Sequence, residues 1–180
     1  MTVALPDRLE TERLVLRAPR ASDAAHLFAS YTQDAEVARY MTWRPHQRLE
    51  ETANFIDRCI ALWAAGTSRP YLLTLPGRED TPLGMLEARV LGHIVDLGYV
   101  LARAHWGQGY MPEAVRTLTE TALALDCYFR VQATCDVENV PSARTLEKAG
   151  FTREARLERY ILHPNLDTEP RAVWLWARWK

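Results

Sequence analysis

The sequence predicts a mixed α/β fold, a sheet with helices on both faces. Three observations carry this. Apolar runs at residues 71–75, 83–90 and 93–101 follow one another, the first two around a Pro76-Gly77 turn, as strands of a meander do. Before them, Ala53, Ile56, Ile60 and Trp63 recur at helical spacing. After them, helix and strand patterns alternate to the end.

The elements follow in order. Residues 13–17 alternate polar and apolar, as a half-buried strand does. Ser22 and Asp23 suit the start of a helix over about residues 24–31, and residues 34–40 suggest a second, short one. Trp43-Arg44-Pro45 reads as a loop. The helix at residues 50–65 ends at Gly66. Beyond the meander come an amphipathic helix to about Leu125, a short strand at residues 131–135, and a helix closed by Gly150. In the last strand, residues 172–179, Trp174, Trp176 and Arg178 alternate with Val173, Leu175 and Ala177. Residues 163–170 are the long irregular stretch and the natural functional loop besides the glycine turn below. No repeat, low-complexity run or linker breaks the pattern, so residues 1–180 are expected to form one domain.

Composition narrows the function classes. Hydrophobic residues make up 48% and charged residues 25%, ordinary for a globular protein. The net charge of −1 supplies no basic field for nucleic acid or anionic membrane. Cys59, Cys127 and Cys135 sit in apolar patterns and read as reduced core thiols of a cytoplasmic protein. The histidines pair at no metal-ligand spacing, so no metal is expected. Residues 1–8 lack the apolar core of a signal peptide, and no apolar run is long enough to span a bilayer.

The most informative segment is Trp106-Gly107-Gln108-Gly109-Tyr110-Met111-Pro112-Glu113, between a strand and a helix. Such a turn leaves backbone N–H groups unpaired at a helix start, where the dipole adds positive charge. Glycine lets an anion approach closely, so the segment is built like a phosphate cradle. A tight turn alone also uses Gly-x-Gly. There is no Gly-x-x-x-x-Gly-Lys-[Ser/Thr], and Pro112 stands where a dinucleotide fingerprint needs its third glycine.

A second segment, Glu138-Asn139-Val140-Pro141-Ser142 through Gly150-Phe151, follows the strand at residues 131–135. Together the two resemble the GNAT superfamily of acyl-CoA N-acyltransferases, and most nearly the ribosomal-protein N-terminal acetyltransferases of the RimJ/RimL type. Leu9-Glu10-Thr11-Glu12-Arg13-Leu14-Val15-Leu16-Arg17 resembles that branch's first strand, and Asp96-Leu97-Gly98-Tyr99 its acidic-apolar-Gly-Tyr strand. The resemblance spans nearly the whole chain. It implies a mostly antiparallel twisted sheet of about seven strands, acetyl-CoA as co-substrate, an amine acceptor, and a monomer or homodimer.

It also implies roles. Backbone N–H groups of Trp106, Gly107, Gln108, Gly109, Tyr110 and Met111 would hold the coenzyme A pyrophosphate. Ala104 departs from the Gln or Arg common in the superfamily; Arg103, one position off, reads equally as a phosphate contact or a solvated side chain. Tyr99, Val100 and Leu101 would pair through their backbone with the pantetheine arm, by strand addition. Asn139 would touch that arm, or cap the next helix, or both. Ser142 is the candidate general acid, because Leu146 occupies the position where the superfamily often has tyrosine; a first-turn helix serine is the plain alternative. Asp96 is the candidate general base, directly or through water, against a strand aspartate paired with a neighbouring arginine. Glu87 and Glu158 are fallback bases only, each reading first as a surface charge. Trp63, Trp174, Trp176 and Trp179 read as packing residues, whereas Trp43, in its loop, offers a face to a cationic amine.

The expected function is acetyl transfer from acetyl-CoA to a primary amine, a peptide N-terminus before a small metabolite. In the family, the early helices with the Trp43 loop and the 163–170 loop form opposite walls of the acceptor channel. Arg44 and His46 on one wall and Asp167, Glu169 and Arg171 on the other carry too little negative charge for a polycation. The rivals are a small-molecule amine acetyltransferase, an acyl-CoA-binding sensor without turnover, which Leu146 and Ala104 keep open, and an interaction module of unrelated α/β fold.

Overall fold

The computed structural model describes residues 5–180; residues 1–4, part of the segment read against a signal peptide, lie outside the described residues. Eight strands form a sheet in the order β1-β2-β3-β4-β5-β6-β8-β7. They are β1 (Arg8–Glu10), β2 (Val15–Arg17), β3 (Ser68–Thr74), β4 (Gly84–Leu91), β5 (Ile94–Leu101), β6 (Arg130–Asp136), β7 (Thr152–Ile161) and β8 (Arg171–Trp179). Every neighbouring pair is antiparallel except β5 and β6, which are parallel. The fold class expected from sequence is the one observed, with eight strands against about seven. The first predicted strand is a hairpin, β1 and β2, turned at Thr11, which binds Leu14 through its backbone N–H (2.9 Å).

The helices are α1 (Asp23–Leu27), α2 (Ala35–Ala38), α3 (Leu49–Ala65), α4 (Tyr110–Ala124) and α5 (Val140–Lys148). Gly66 closes α3 in the left-handed conformation, as predicted. Asp34 caps α2 by accepting from Glu36 N–H (3.0 Å). Ser22 makes no cap; α1 is fixed by Asp23, which takes a bidentate pair from Arg17 (2.9 and 2.6 Å) in the interior and the N–H of Arg20. That helix was expected to continue to residue 31, but it passes into a π-helical turn, Phe28–Thr32.

The pleat sorts β5 into two faces. Val95 and Leu97 join Leu118, Ala133 and Leu146 in a core behind the sheet, under α4 and α5. Val100 and Met85 belong to a second core in front, with Leu27, Tyr31 and Ile56 of the first helices. Ile56 is fully buried, and truncating it to alanine would cost about 2–5 kcal/mol. Trp63 packs edge-on against Tyr71 (5.1 Å) and Trp176 is buried, but Trp179 is exposed at the end of β8. Cys59 and Cys135 are buried, whereas Cys127 is exposed after α4 and is not a core thiol.

Candidate active site

The site begins where the parallel pair comes apart. β5 and β6 are bonded only from Ile94↔Arg130 to Leu97↔Ala133. Beyond that point β5 stays with β4 as far as Leu101↔Gly84, and β6 stays with β8 as far as Asp136↔Val173. Each strand follows its outer neighbour, so a gap opens between residues 98–101 and 134–136. Inner-edge backbone groups there have no ladder partner, a template for an extended, amide-bearing chain. A cavity of about 270 Å³ runs through the gap to the front of the sheet.

The glycine turn lies at the end of β5. After Leu101 comes a short 3-10 turn, Arg103–His105, then Gly107 (φ 74°) and Gly109 (φ 79°), and α4 starts at Tyr110. Both glycines hold the left-handed conformation that side chains resist. A Cβ at Gly107 would meet nothing within 4 Å, so that glycine borders open space. The turn is braced from below. Arg13 donates to the Gln108 carbonyl (2.9 Å), stacks on Tyr110 (4.8 Å) and pairs with Glu113 (2.7 Å). Burial alone would raise the Glu113 carboxyl, but the Thr11 hydroxyl and the Arg13 backbone and side chain hold it below its ordinary value. Trp106 donates through Nε1 to the Leu101 carbonyl (2.7 Å), and Gln108 through Nε2 to Ala104 (3.0 Å). Arg103 pairs with Asp34 (3.0 Å).

Behind the gap, α5 brings Asn139 and Ser142 to the cavity. Asn139 caps the helix, its Oδ1 accepting from Ser142 N–H (3.2 Å). The Ser142 hydroxyl meets the Tyr99 hydroxyl at 2.8 Å, and Tyr99 also reaches the Ser142 carbonyl (3.3 Å). Burial pushes the Tyr99 phenol above its ordinary range, with Ser142 opposing, so it stays protonated. Leu146 is fully buried in the rear core. The Cys135 thiol, beside Trp176 and Ser142, is also pushed up by burial.

In front, Asp96 stands on the still-paired part of β5 and does not line the cavity; Glu87 and Arg89 do. Its carboxylate accepts from Arg89 Nη2 (2.7 Å) and Nε (3.1 Å) and from Gln132 Nε2 (3.3 Å). Glu87 accepts from Ser68 Oγ (2.9 Å) and Arg89 Nη1 (3.0 Å). The Arg89 guanidinium covers Gly98, where a Cβ would come within 3.0 Å of it. Glu158 lies exposed on the edge strand β7, paired with Arg156 (2.8 Å). Trp43 lines the cavity, its ring 5.4 Å from that of His46.

Three groups escaped the sequence reading. Asp136, buried, takes Arg171 on both oxygens (2.7 and 3.2 Å) and the N–H of Glu138 (2.9 Å). Burial raises its carboxyl, but these donors outweigh that and hold it low. His163, also buried, lies 3.6 Å from that carboxylate. Asn165 joins the two walls, donating to the carbonyls of Ala38 (2.7 Å) and Trp43 (2.8 Å). Among the described residues no cluster of His, Cys, Asp or Glu could hold a metal ion, and no helix is long and apolar enough to cross a membrane.

The sheet is parted at its parallel pair, with a helix N-terminus at one end of the gap. Residues 13–152 match the acetyltransferase (GNAT) domain model, and the chain belongs to that family and is an N-acetyltransferase. It is 29% identical to the uncharacterized N-acetyltransferase p20 of Bacillus licheniformis over 160 residues, 86% of this chain and 87% of that one. A GNAT acetyltransferase from Bacillus anthracis shares 25% identity and superposes with a TM-score of 0.82 over 96% of this chain and 98% of its own. RimJ of Mycobacterium smegmatis, solved with a CoA disulfide, shares the fold at 21% identity, with a TM-score of 0.85 over 99% of this chain and 90% of that one.

Proposed function

We propose that the chain transfers the acetyl group of acetyl-CoA directly to a single primary amine, with a peptide N-terminus preferred. The observation that carries this is the gap between β5 and β6, whose cavity connects the Ser142–Tyr99 pair with the front of the sheet, with the glycine turn following the same end of β5. Backbone N–H groups of residues 106–111 would hold the pyrophosphate of acetyl-CoA, a family co-substrate. The free edge of Tyr99, Val100 and Leu101 would hold the pantetheine arm, with Asn139 beside it. An amine entering from the front attacks the thioester carbonyl, and the C–S bond breaks. Ser142, behind the gap, gives its proton to the departing sulfur and regains one through Tyr99. The 2.8 Å contact supports this relay.

The charge around the cavity supports one ammonium rather than several. Arg89 is shared by Glu87 and Asp96, and Asp136 is matched by Arg171. These five groups sum to one net negative charge, too little for a polyamine or aminoglycoside. The p20-like relatives name no acceptor, and RimL, an L7/L12 alpha-N-protein acetyltransferase, shares the fold, in keeping with a peptide terminus.

The test measures free thiol released from acetyl-CoA across short peptides with free termini, their N-blocked lysine-containing forms, spermidine and an aminoglycoside. Peptide termini should lead. Preference for the polycations would overturn the acceptor assignment, and cofactor binding with no amine-dependent release would favour a sensor.

A further inference from the structure

Two carboxylates, Glu87 and Asp136, line the front cavity and a third, Asp96, lies beside it, and each is committed. Both oxygens of Glu87, Asp96 and Asp136 already accept hydrogen bonds from Ser68, Gln132 or the arginines Arg89 and Arg171. His163 differs. It lines the same cavity with 3% of its surface exposed, and apart from the nearby Met41 backbone neither ring nitrogen has a hydrogen-bond partner among the described residues. A buried polar group left unpartnered is costly, and a functional reason is the first to seek.

Building on the acetyltransferase reading, we propose that His163 is the group that takes the proton from the acceptor ammonium before attack. The ring is well placed to act. Its own carbonyl accepts from the N–H of Leu166 (2.9 Å) and Asp167 (3.1 Å), which closes a tight turn. Asn165 in that turn is anchored to Ala38 and Trp43 on the opposite wall. So the turn that carries the imidazole is tied to the opposite wall, as positional catalysis requires.

The surrounding charges suit a proton that comes and goes. From β6, Asp136 stands 3.6 Å from Nε2; from β8, Arg171 binds Asp136 and Glu138; after α2, the Tyr40 ring lies edge-on at 6.2 Å, and the Met41 carbonyl is nearby. Burial keeps His163 neutral, below its ordinary value, while Asp136 and the Met41 carbonyl favour the imidazolium once formed and Arg171 opposes it. One N–H bond of the ammonium breaks as one forms on the ring. The freed lone pair attacks the thioester; as the C–S bond breaks, the second amine proton passes to water, Ser142 gives its proton to sulfur, and Ser142 takes one back from water through Tyr99. His163 releases its proton to water when products leave.

The test compares wild type with His163→Gln and His163→Asn, measuring kcat/KM for a peptide amine from about pH 6 to about pH 9, a range that brackets the α-amino group near 8. At the acid end, both variants should lose at least about tenfold, and the deficit should shrink towards the alkaline end, where the amine is already free. Acetyl-CoA affinity should change less than about twofold. An equal loss at every pH, or none, would overturn the proposal. Should both variants fail to fold, the wild-type profile decides. A limb levelling below 6.5, the ordinary histidine value, supports His163; a profile that tracks the amine's own ionisation overturns it. Wild type that releases no thiol with any amine would remove the acetyltransferase reading itself, and His163's role with it.

Discussion

Gly109, Gly107 and Gly77 share the left-handed conformation (φ 79°, 74° and 73°) but differ in what surrounds them. A Cβ at Gly77 or Gly107 meets nothing within 4 Å; at Gly109 it lies 3.3 Å from Arg13 Nη2. Gly77→Ala, at the β3–β4 turn, should therefore cost only backbone strain, about 1–2 kcal/mol. For a chain of this length that lowers Tm by about 2–8 °C. Acetyl-CoA at a hundredfold excess over its Kd should still restore about 2.7 kcal/mol, a rise of about 5–11 °C. Gly109→Val adds to the same strain a branched side chain in the proposed phosphate-binding turn, and it presses on the Arg13 contact to Gln108. Calorimetric titration should show acetyl-CoA binding at least about tenfold weaker, a loss of ~1.4 kcal/mol, and the thermal shift should shrink to match. Gly107→Ala, strained but unobstructed, should bind more tightly than Gly109→Val. If Gly109→Val binds acetyl-CoA as well as Gly77→Ala does, the turn is not the cradle.

Ser142→Ala should reduce turnover by roughly 10- to 1000-fold with acetyl-CoA affinity nearly unchanged, and Tyr99→Phe should reduce it less; unchanged turnover in Ser142→Ala would leave that serine as a helix-start residue. Asp96→Asn weakens a partly exposed pair with Arg89 and should lower Tm by a few degrees, about 1 kcal/mol, leaving the pH–rate profile intact; a loss confined to low pH would make Asp96 the base. Asp136 has a depressed carboxyl, so its contribution is full above its unfolded value of 3.8 and is lost as pH falls through the lower folded one. Asp136→Asn should cost up to about 3 kcal/mol at neutral pH and flatten the acid limb of the stability curve; an unchanged acid limb in chemical denaturation would contradict this.

Local chemistry decided what could be read from sequence. The Gly107–Gly109 turn, the Gly66 stop and the Asn139 cap each depend on a few consecutive residues, and all three stand as expected. Strand β7 has no bounds legible in the sequence, because charged residues at 153, 154, 156, 158 and 159 erase the alternation a half-buried strand shows. As an edge strand it buries little and needs none. The Ser142–Tyr99 contact joins residues 43 positions apart, and the Asn165 clamp spans 122 and more. Such pairs have no signature in spacing. Asp96 and Arg89 were separable only by register, since one cross-strand pairing decides whether the carboxylate meets a guanidinium or a substrate.

The location of the site follows from the one parallel pair. Antiparallel neighbours can be joined by tight turns, but β5 and β6 run the same way, and the chain must cross over to bring β6 alongside. The crossover is α4, which packs behind the sheet through Val115 and Leu118. A crossover helix must start where the first strand ends, so its positive N-terminus falls at the carboxyl end of β5. The strands also diverge at that end, because β8 holds β6 and β4 holds β5 after their own pairing stops at Leu97. A helix N-terminus and an open backbone edge therefore arise together from one topological choice, as they do at the switch points of other α/β sheets. What remains for individual residues is the chemistry at the mouth of the gap. Ser142 and Tyr99 line it from behind, and His163 lines the front cavity.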